Sequence, residues 1–536
     1  MTGPLNLPLE LVSRIVDFVA SGNGETLNSD RDDEPFNHDC KFKYNVEHKP
    51  SASGLSYQHS KLATTTRPDI ASLRSLRLAS RVFAQMCETR LFSCVRLLPT
   101  EESAVRYDHI LSTPILSEQV RKVVFQTRMV PGGSTSCWSR QSPGPGDDYH
   151  EPHPFFMDAM EQVGRFPNLT HVEMVFGSTC CGPDSFNEAT EDIEFREEVL
   201  SAFYAGLNHC DHPAIKVFNL SIKNLQDRTP QALITSSEDE DEDKDEDKDE
   251  DEYEVVDEDE DKFIKFKKDF GEVMSRITHL SLQIATEDEE AAPEMTLDVP
   301  ESHNFFGHEL EEYWIAPIAE NLVYFKLYSN EILFGLFPVC NLPKLPKLRT
   351  LILGNLSMGN DDPIDWILSH AGILEELILD DAVIAVGTRL GYEVSDVGNR
   401  RIIYSPLTIE DGRPIYQSKK HDNYAEQKWL WPKRWHHIFH RLQHGLPNLK
   451  HFAVGHGNWD RHTAFDEAET LQSVLMDARY QYLDRGTGPD NWLRAEGDDK
   501  AYNDWEDEEN IVYRPDCDEE DWQALKGFLD EIKRRR

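Results

Sequence analysis

Several features that would settle the class of this chain at once are missing from it. Its 536 residues contain no run of about twenty apolar residues, the length needed to span a bilayer. The greasiest stretch, around Ile332–Cys340, is short and contains Pro338. No N-terminal segment joins basic residues to a long apolar core, so no secretory signal is expected. The 9 cysteines include no Cys-x-x-Cys pair, and the adjacent Cys180 and Cys181 would strain to bridge each other. Reduced thiols and an intracellular setting, cytoplasmic or nuclear, are therefore expected. Positive charge is scarce: 55 Lys and Arg face 98 Asp and Glu, for a net charge of -43. That balance argues against nonspecific nucleic-acid binding, which needs a basic surface. There is no Gly-x-x-x-x-Gly-Lys-Ser/Thr loop, no Gly-x-Ser-x-Gly elbow and no His-Glu-x-x-His. Neither catalysis, nor a cofactor, nor a metal is expected.

The acids are unevenly spread. Residues 238–261 hold 19 Asp and Glu against Lys244 and Lys248, and residues 498–521 hold 12 against Lys500 and Arg514. Like charges repel and leave little to bury, so residues 231–262 are expected to be a disordered insert. Residues 128–153, rich in Gly, Pro and Ser, read as a loop. A further insertion is expected over residues 385–434, with a hairpin pairing Arg400–Tyr404 with Pro414–Tyr416 around Asp411-Gly412. The tail of residues 481–536 is acidic and ends in a helix from Asp518. Trp522, Leu525, Leu529 and Ile532 share one face of that helix, with acids at its start and Lys533-Arg534-Arg535-Arg536 at its end.

A pattern recurs between these segments. The string apolar-x-x-apolar-x-apolar occurs at Val120/Val123/Phe125, Leu169/Val172/Met174, Ile215/Phe218/Leu220 and Ile277/Leu280/Leu282. It returns at Leu322/Phe325/Leu327, Leu348/Leu351/Leu353, Leu374/Leu377/Leu379 and Leu449/Phe452/Val454. The last two apolar residues of each copy are two apart and so share one face of a strand. Helix-like stretches lie between copies, among them Phe195–Leu207, Phe263–Ile277, Ile364–Ala371 and Trp435–Leu446. The pattern resembles degenerate leucine-rich repeats, and the resemblance implies stacked strand–helix units over residues 101–480.

Residues 7–19, with Leu7, Pro8, Leu11 and Ile15, suit a short amphipathic helix with proline in its first turn. The Leu-Pro-x-Glu-Leu-x-x-x-Ile pattern resembles the first helix of an F-box. Residues 69–83, with Leu73, Leu76, Leu78 and Phe83 in apolar slots, resemble its later helices. Residues 21–66 intervene as a polar insert. The expected fold is therefore α/β: a small all-α F-box-like module over residues 1–100, then an irregular leucine-rich-repeat-like solenoid with acidic insertions.

The F-box resemblance implies the substrate-recognition subunit of an SCF-type ubiquitin ligase. Leu7, Pro8, Leu11, Ile15, Leu76 and Leu78 would then face a Skp-type adaptor that links the chain to a cullin. The repeat resemblance implies a protein substrate on the strand residues between the buried positions: Tyr324, Lys326, Thr350, Ile352, Glu376 and Ile378. The basic and aromatic cluster of Trp429, Trp431, Lys433 and Arg434, with Arg400 and Arg401, would add contacts for an acidic or phosphorylated motif. The other reading is a non-ligase scaffold whose acidic tract attracts basic partners. His436, His440 and His444 recur at helical spacing like metal ligands. Trp435, Ile438, Phe439 and Leu442 form the opposite apolar face, so the histidines read as a solvated side.

Overall fold

The computed structural model describes residues 70–79, 81–127, 154–177, 191, 193–209, 211, 213–226, 258–285, 300–329, 333–336, 338–390, 407–410, 413–416, 427–455, 473, 475, 479–484, 493–494 and 512–536. Two helices open it, α1 (Ile70–Ala79) and α2 (Arg81–Leu91). Strand β1 (Cys94–Leu97) follows directly. Helices α3 (Glu101–Ser112) and α4 (Pro114–Ser117) lead to β2 (Lys122–Gln126), and α5 (Pro154–Glu161) leads to β3 (His171–Val175). Helix α6 (Ile193–Leu207) leads to β4 (Asn219–Gln226), and α7 (Glu258–Met274) to β5 (His279–Ala285). Helix α8 (Pro300–Asn304) runs on as a π-helix (Phe305–Ile315) towards β6 (Tyr324–Ser329).

The second half is less regular. Strands β7 (Thr350–Gly354) and β8 (Ser357–Met358), helix α9 (Asp362–Leu368), β9 (Glu376–Asp380) and β10 (Val383–Leu390) follow one another. A hairpin of β11 (Leu407–Glu410) and β12 (Arg413–Tyr416) precedes β13 (Gln427–Leu430), α10 (Trp435–Gly445) and β14 (His451–Gly455). Strand β15 (Tyr480–Asp484), the short β16 (Leu493–Arg494) and β17 (Val512–Tyr513), and helix α11 (Asp518–Arg535) complete it.

Nine of these strands form one sheet in the order β1-β2-β3-β4-β5-β6-β7-β9-β14, every neighbouring pair parallel. Parallel neighbours need a crossover back to the same end, which helices supply at every step except β6 to β7, where no helix is found among the described residues. The order never reverses, so the sheet has no switch point of the kind that holds nucleotides in doubly wound folds. A smaller sheet places β10 between β13 and β15, with β8 also on β10.

One continuous core lies between the large sheet and the helices. Alternate strand residues such as Phe125, Met174, Leu282, Leu351 and Leu377 meet Tyr107, Phe156, Phe203, Phe270, Trp314 and Phe439 from successive helices. Edge-to-face rings bind the layer together: Phe125 on Phe203, Tyr204 on Phe270 and Phe270 on Trp314. Among the described residues, no helix is long and apolar enough to cross a membrane.

This architecture corrects the expected one. In place of a small all-α module followed by a leucine-rich-repeat solenoid stands one large parallel α/β sheet with helices. The apolar string marks any strand that leaves a turn and buries alternate side chains under helices, so it locates strands without specifying a repeat. At β4 the register differs too: Ile215 and Phe218 are exposed, and Val217, Leu220 and Ile222 are buried. Strand β1 already belongs to the sheet although it lies within residues 1–100, and α11 packs into the main core although it lies within 481–536. Helix α7 begins at Glu258, inside the expected disordered insert, whose residues 231–257 lie outside the described ones. The hairpin pairs Leu407–Glu410 with Arg413–Tyr416, and the expected first strand, Arg400–Tyr404, lies outside the described residues.

At the C-terminal ends of β3 and β4 a buried ion pair ties the layers together. Arg196, fully buried on α6, donates to the carbonyls of Asn224 and Gly177 and meets Glu191 at 3.4 Å. Glu191 also accepts from Thr127 Oγ1 and from the Gly177 amide, each at 2.6 Å. Asn224, at φ 58°, bulges β4 and donates its side-chain amide to the Phe176 carbonyl at 2.9 Å. Arg196→Met would strand the Glu191 charge in the core and should cost about 3–5 kcal/mol of stability. Urea unfolding followed by fluorescence should show this, with part recovered in the Glu191→Gln/Arg196→Met double variant. Unchanged stability in the single variant would show that the pair is not structural.

Candidate functional site

The face of the sheet turned away from the helices carries the strand residues singled out above. In one row, Glu173, Ser221, Ser281, Lys326, Ile352, Ile378 and Ala453 lie in register across seven strands. In the next, His171, Asn219, His279, Tyr324, Thr350, Glu376 and His451 do the same. The six predicted residues are thus brought together on one face. They do not form an open surface: Lys326, Ile352 and Ile378 are buried, and Tyr324, Thr350 and Glu376 are half-buried. Ile352 and Ile378 pack with Tyr328 and Ala453 in a second small apolar cluster.

Charge on this face is matched internally. Glu173 sits between Lys122 at 2.5 Å and Lys223 at 3.0 Å. The rings of His171, Phe218, His279 and Tyr324 follow one another at 5.5–5.7 Å. Burial holds both His171 and His279 below the ordinary imidazole value, favouring neutral rings. The hydrogen bond to His451 Nδ1, at 2.5 Å, holds Glu376 below the usual carboxylate value despite its burial. At the C-terminal end of β6, Tyr328 donates to Asp380 Oδ2 at 2.6 Å. Burial first, and Asp380 second, push its phenol well up, so it acts as a donor rather than a nucleophile. Gly354 is required beside it, because a Cβ there would overlap the Tyr328 ring.

A second cluster joins α10, β15 and α11. Asp521, fully buried, accepts from the His436 amide and pairs with His436 Nδ1, both at 2.9 Å through Oδ1. Its Oδ2 accepts from Tyr480 OH at 2.6 Å and from Arg479 Nε at 3.1 Å. Tyr480 OH also lies 3.3 Å from Cys517 Sγ and accepts from the Trp435 amide at 2.9 Å. Arg479 and Arg514 converge on Asp518.

Ligand atoms of His436, Cys517 and Asp521 lie within 4.8 Å of one another, a spacing open to a metal ion. The chemistry opposes one. Arg479 already places a cation on Asp521, and burial pushes the Cys517 thiol up to about 11, leaving it protonated. The cluster is a clasp, in which a carboxylate on α11 caps the amino end of α10.

Trp431 and Trp435 are buried core residues rather than contacts. Trp429 lies on β13 opposite Thr388. Lys433 and Arg434 are half-buried, and Arg434 donates to the Trp431 and Lys433 carbonyls. Arg400 and Arg401 lie outside the described residues, as do Leu7, Pro8, Leu11 and Ile15. Of the adaptor residues, Leu76 packs partly against a separate small cluster of Leu73, Phe83 and Cys87, and Leu78 is 87% exposed. His440 and His444 are exposed, and only His436 of the three histidines joins the clasp.

The clasp residues were missed from sequence. The usable signal was Asp521, a carboxylate on the same helical stripe as Leu525, Phe528 and Ile532. Compared with protein-family models and with curated proteins, the chain matches none.

Acid should loosen this arrangement. Burial works against ionisation of Asp518, but Arg479 and Arg514 outweigh it and hold the carboxyl below its ordinary value. Glu376 is depressed likewise. A carboxylate with a lowered folded pKa stabilises the fold above its unfolded value and loses that contribution as pH falls through the folded one. The thermal midpoint should begin to decline as pH falls below about 6.5, where the buried neutral His171 and His279 resist the protonation that unfolding allows, and fall further below about pH 4, this lower step being less steep in Asp518→Asn. An equally steep fall in that variant would remove Asp518 from the account.

Proposed function

We propose that this chain is the substrate-recognition subunit of an SCF-type ubiquitin ligase, a binding protein rather than an enzyme, working in the cytoplasm or nucleus. The observation that carries the reading is the α1–α2 pair. It has its own small apolar cluster apart from the main core, yet leaves Leu78 87% and Val82 44% exposed. Leu78 lies near the end of α1 and Val82 near the start of α2, and both side chains are exposed. These helices lie in the segment that resembles the later F-box helices. Two exposed aliphatic side chains on one helix pair suit cover by a protein partner. In this reading a Skp-type adaptor covers them together with Leu7, Pro8, Leu11 and Ile15, and the sheet domain holds the substrate. Rate enhancement then comes from tethering a substrate lysine near a charged conjugating enzyme, with no catalytic group on this chain.

The test is capture of a purified Skp-type adaptor by the full chain. Leu78→Glu should weaken capture at least tenfold while leaving the thermal midpoint unchanged, because an exposed position loses no packing. Alanine at Leu7, Pro8 and Leu11 together should abolish it. Undiminished capture by both variants, or no capture by the unaltered chain, overturns the ligase reading.

A further inference from the structure

Where β6, β7, β9 and β14 begin, the amino-terminal edge of the sheet opens into a cleft of about 590 Å³. Its floor is a ladder of the residues that immediately precede each strand. The amide of Arg349 donates to the Val323 carbonyl at 2.8 Å, that of Glu375 to Arg349 at 2.8 Å, and that of Lys450 to Glu375 at 2.7 Å. Arg535 closes one side, fixed by bonds from its guanidinium to the Leu446 carbonyl at 2.6 Å and the Gln443 carbonyl at 2.7 Å.

The charge of this cleft is opposite to that of the molecule. Lys347, Arg349, Lys450 and Arg535 line it with one lining carboxylate, Glu375, and Arg535 also pairs with Glu531 at 3.2 Å, in a chain of net charge -43. Glu375 lies between two of the cations, 2.8 Å from Lys450 Nζ and 3.6 Å from Arg349 Nη1. The Lys450 hydrogen bond chiefly holds its carboxyl low, so it stays ionised and draws both cations to one place. It cannot neutralise both. Arg349 is 66% and Lys450 59% exposed, and Lys347 is exposed without an ion-pair partner among the described residues. The cleft is open to solvent, and Val323, Ile373 and Pro447 give it apolar walls.

We propose that this cleft binds a short anionic segment of a partner protein, either carboxylate-rich or phosphorylated. The cations would engage the anionic groups, and the apolar walls the aliphatic parts of neighbouring residues. Glu375 offsets part of the positive charge in this site and is not a contact. The inference goes beyond the ligase reading and does not depend on it.

The experiment uses the full chain without adaptor, so its outcome is separate from that of adaptor capture. Fluorescence anisotropy is read with three labelled Gly/Ser nonapeptides, one with two phosphoserines, one with four glutamates and one neutral. Inorganic phosphate serves as a competitor. One or both anionic peptides should bind, the neutral one should not, and affinity should fall with salt. The tighter of the two identifies the source of the anion. Lys347→Glu/Arg349→Glu should weaken binding at least tenfold, and Lys347→Ala, a truncation at an exposed site, severalfold with an unchanged melting profile. Glu375→Gln should bind as tightly or tighter, since it removes the carboxylate that pairs with Arg349 and Lys450. Equal binding of the neutral peptide, no binding of either anionic one, or unchanged affinity in the lysine and arginine variants would overturn the proposal. So would inorganic phosphate binding without peptide binding.

Discussion

Every pair of neighbours in the large sheet is parallel, and the chain must therefore return to the same end before each new strand. That requirement organises the rest. Nearly every return, that from β6 to β7 excepted, places a helix against the sheet, so alternate strand residues become core, and the residues between them face away from the helices. It also sets aside two edges with different chemistry. The carboxyl ends of the strands are closed by short polar staples, such as Arg196 with Glu191 and Tyr328 with Asp380. The amino ends gather turns with proline, asparagine and lysine, and there the basic cleft opens.

Helix α11 shows how the last unit is secured. It runs parallel to α10, an arrangement that aligns two helix dipoles unfavourably. The same helix offsets this at both ends. Near its start Asp521 accepts from the amino end of α10, and near its finish Arg535 donates to the carbonyls of Gln443 and Leu446 at the other end. Between them Phe528 packs on Phe452 of β14, with ring centres 4.7 Å apart. Charge sets the register of α11 along its neighbour, and apolar contact holds it against the final strand.

Much of the local structure was legible in the sequence. The spacing of Leu322/Phe325/Leu327, Leu348/Leu351/Leu353 and Leu374/Leu377/Leu379 predicts three strands whose apolar residues do enter the core. The stripe of α11 and the apolar face of α10 were readable for the same reason, since periodicity reports burial directly. What periodicity does not report is how units assemble. The same string suits many parallel arrangements, and the repeat reading took its regular spacing as architecture. Burial beyond the core was hidden as well. Lys326 looked like a surface residue between two inward ones, yet it is fully buried near the ring of Tyr328. The clasp was out of reach because Arg479 and Tyr480 lie 42 and 41 residues before Asp521, and no local pattern joins them to Trp435 and His436.

Because strand order follows chain order without reversal, position along the sequence maps onto position along the sheet. The α1–α2 pair joins the chain at β1, one edge, and the cleft lies towards β14, the other. Eight inter-strand steps of about 4.8 Å separate those edges, roughly 38 Å along the sheet. The sheet is thus a ruler. A partner held at one edge and a partner held at the other would be kept at a fixed spacing by backbone hydrogen bonds alone, and inserting or deleting a strand–helix unit would change that spacing in steps of one strand width.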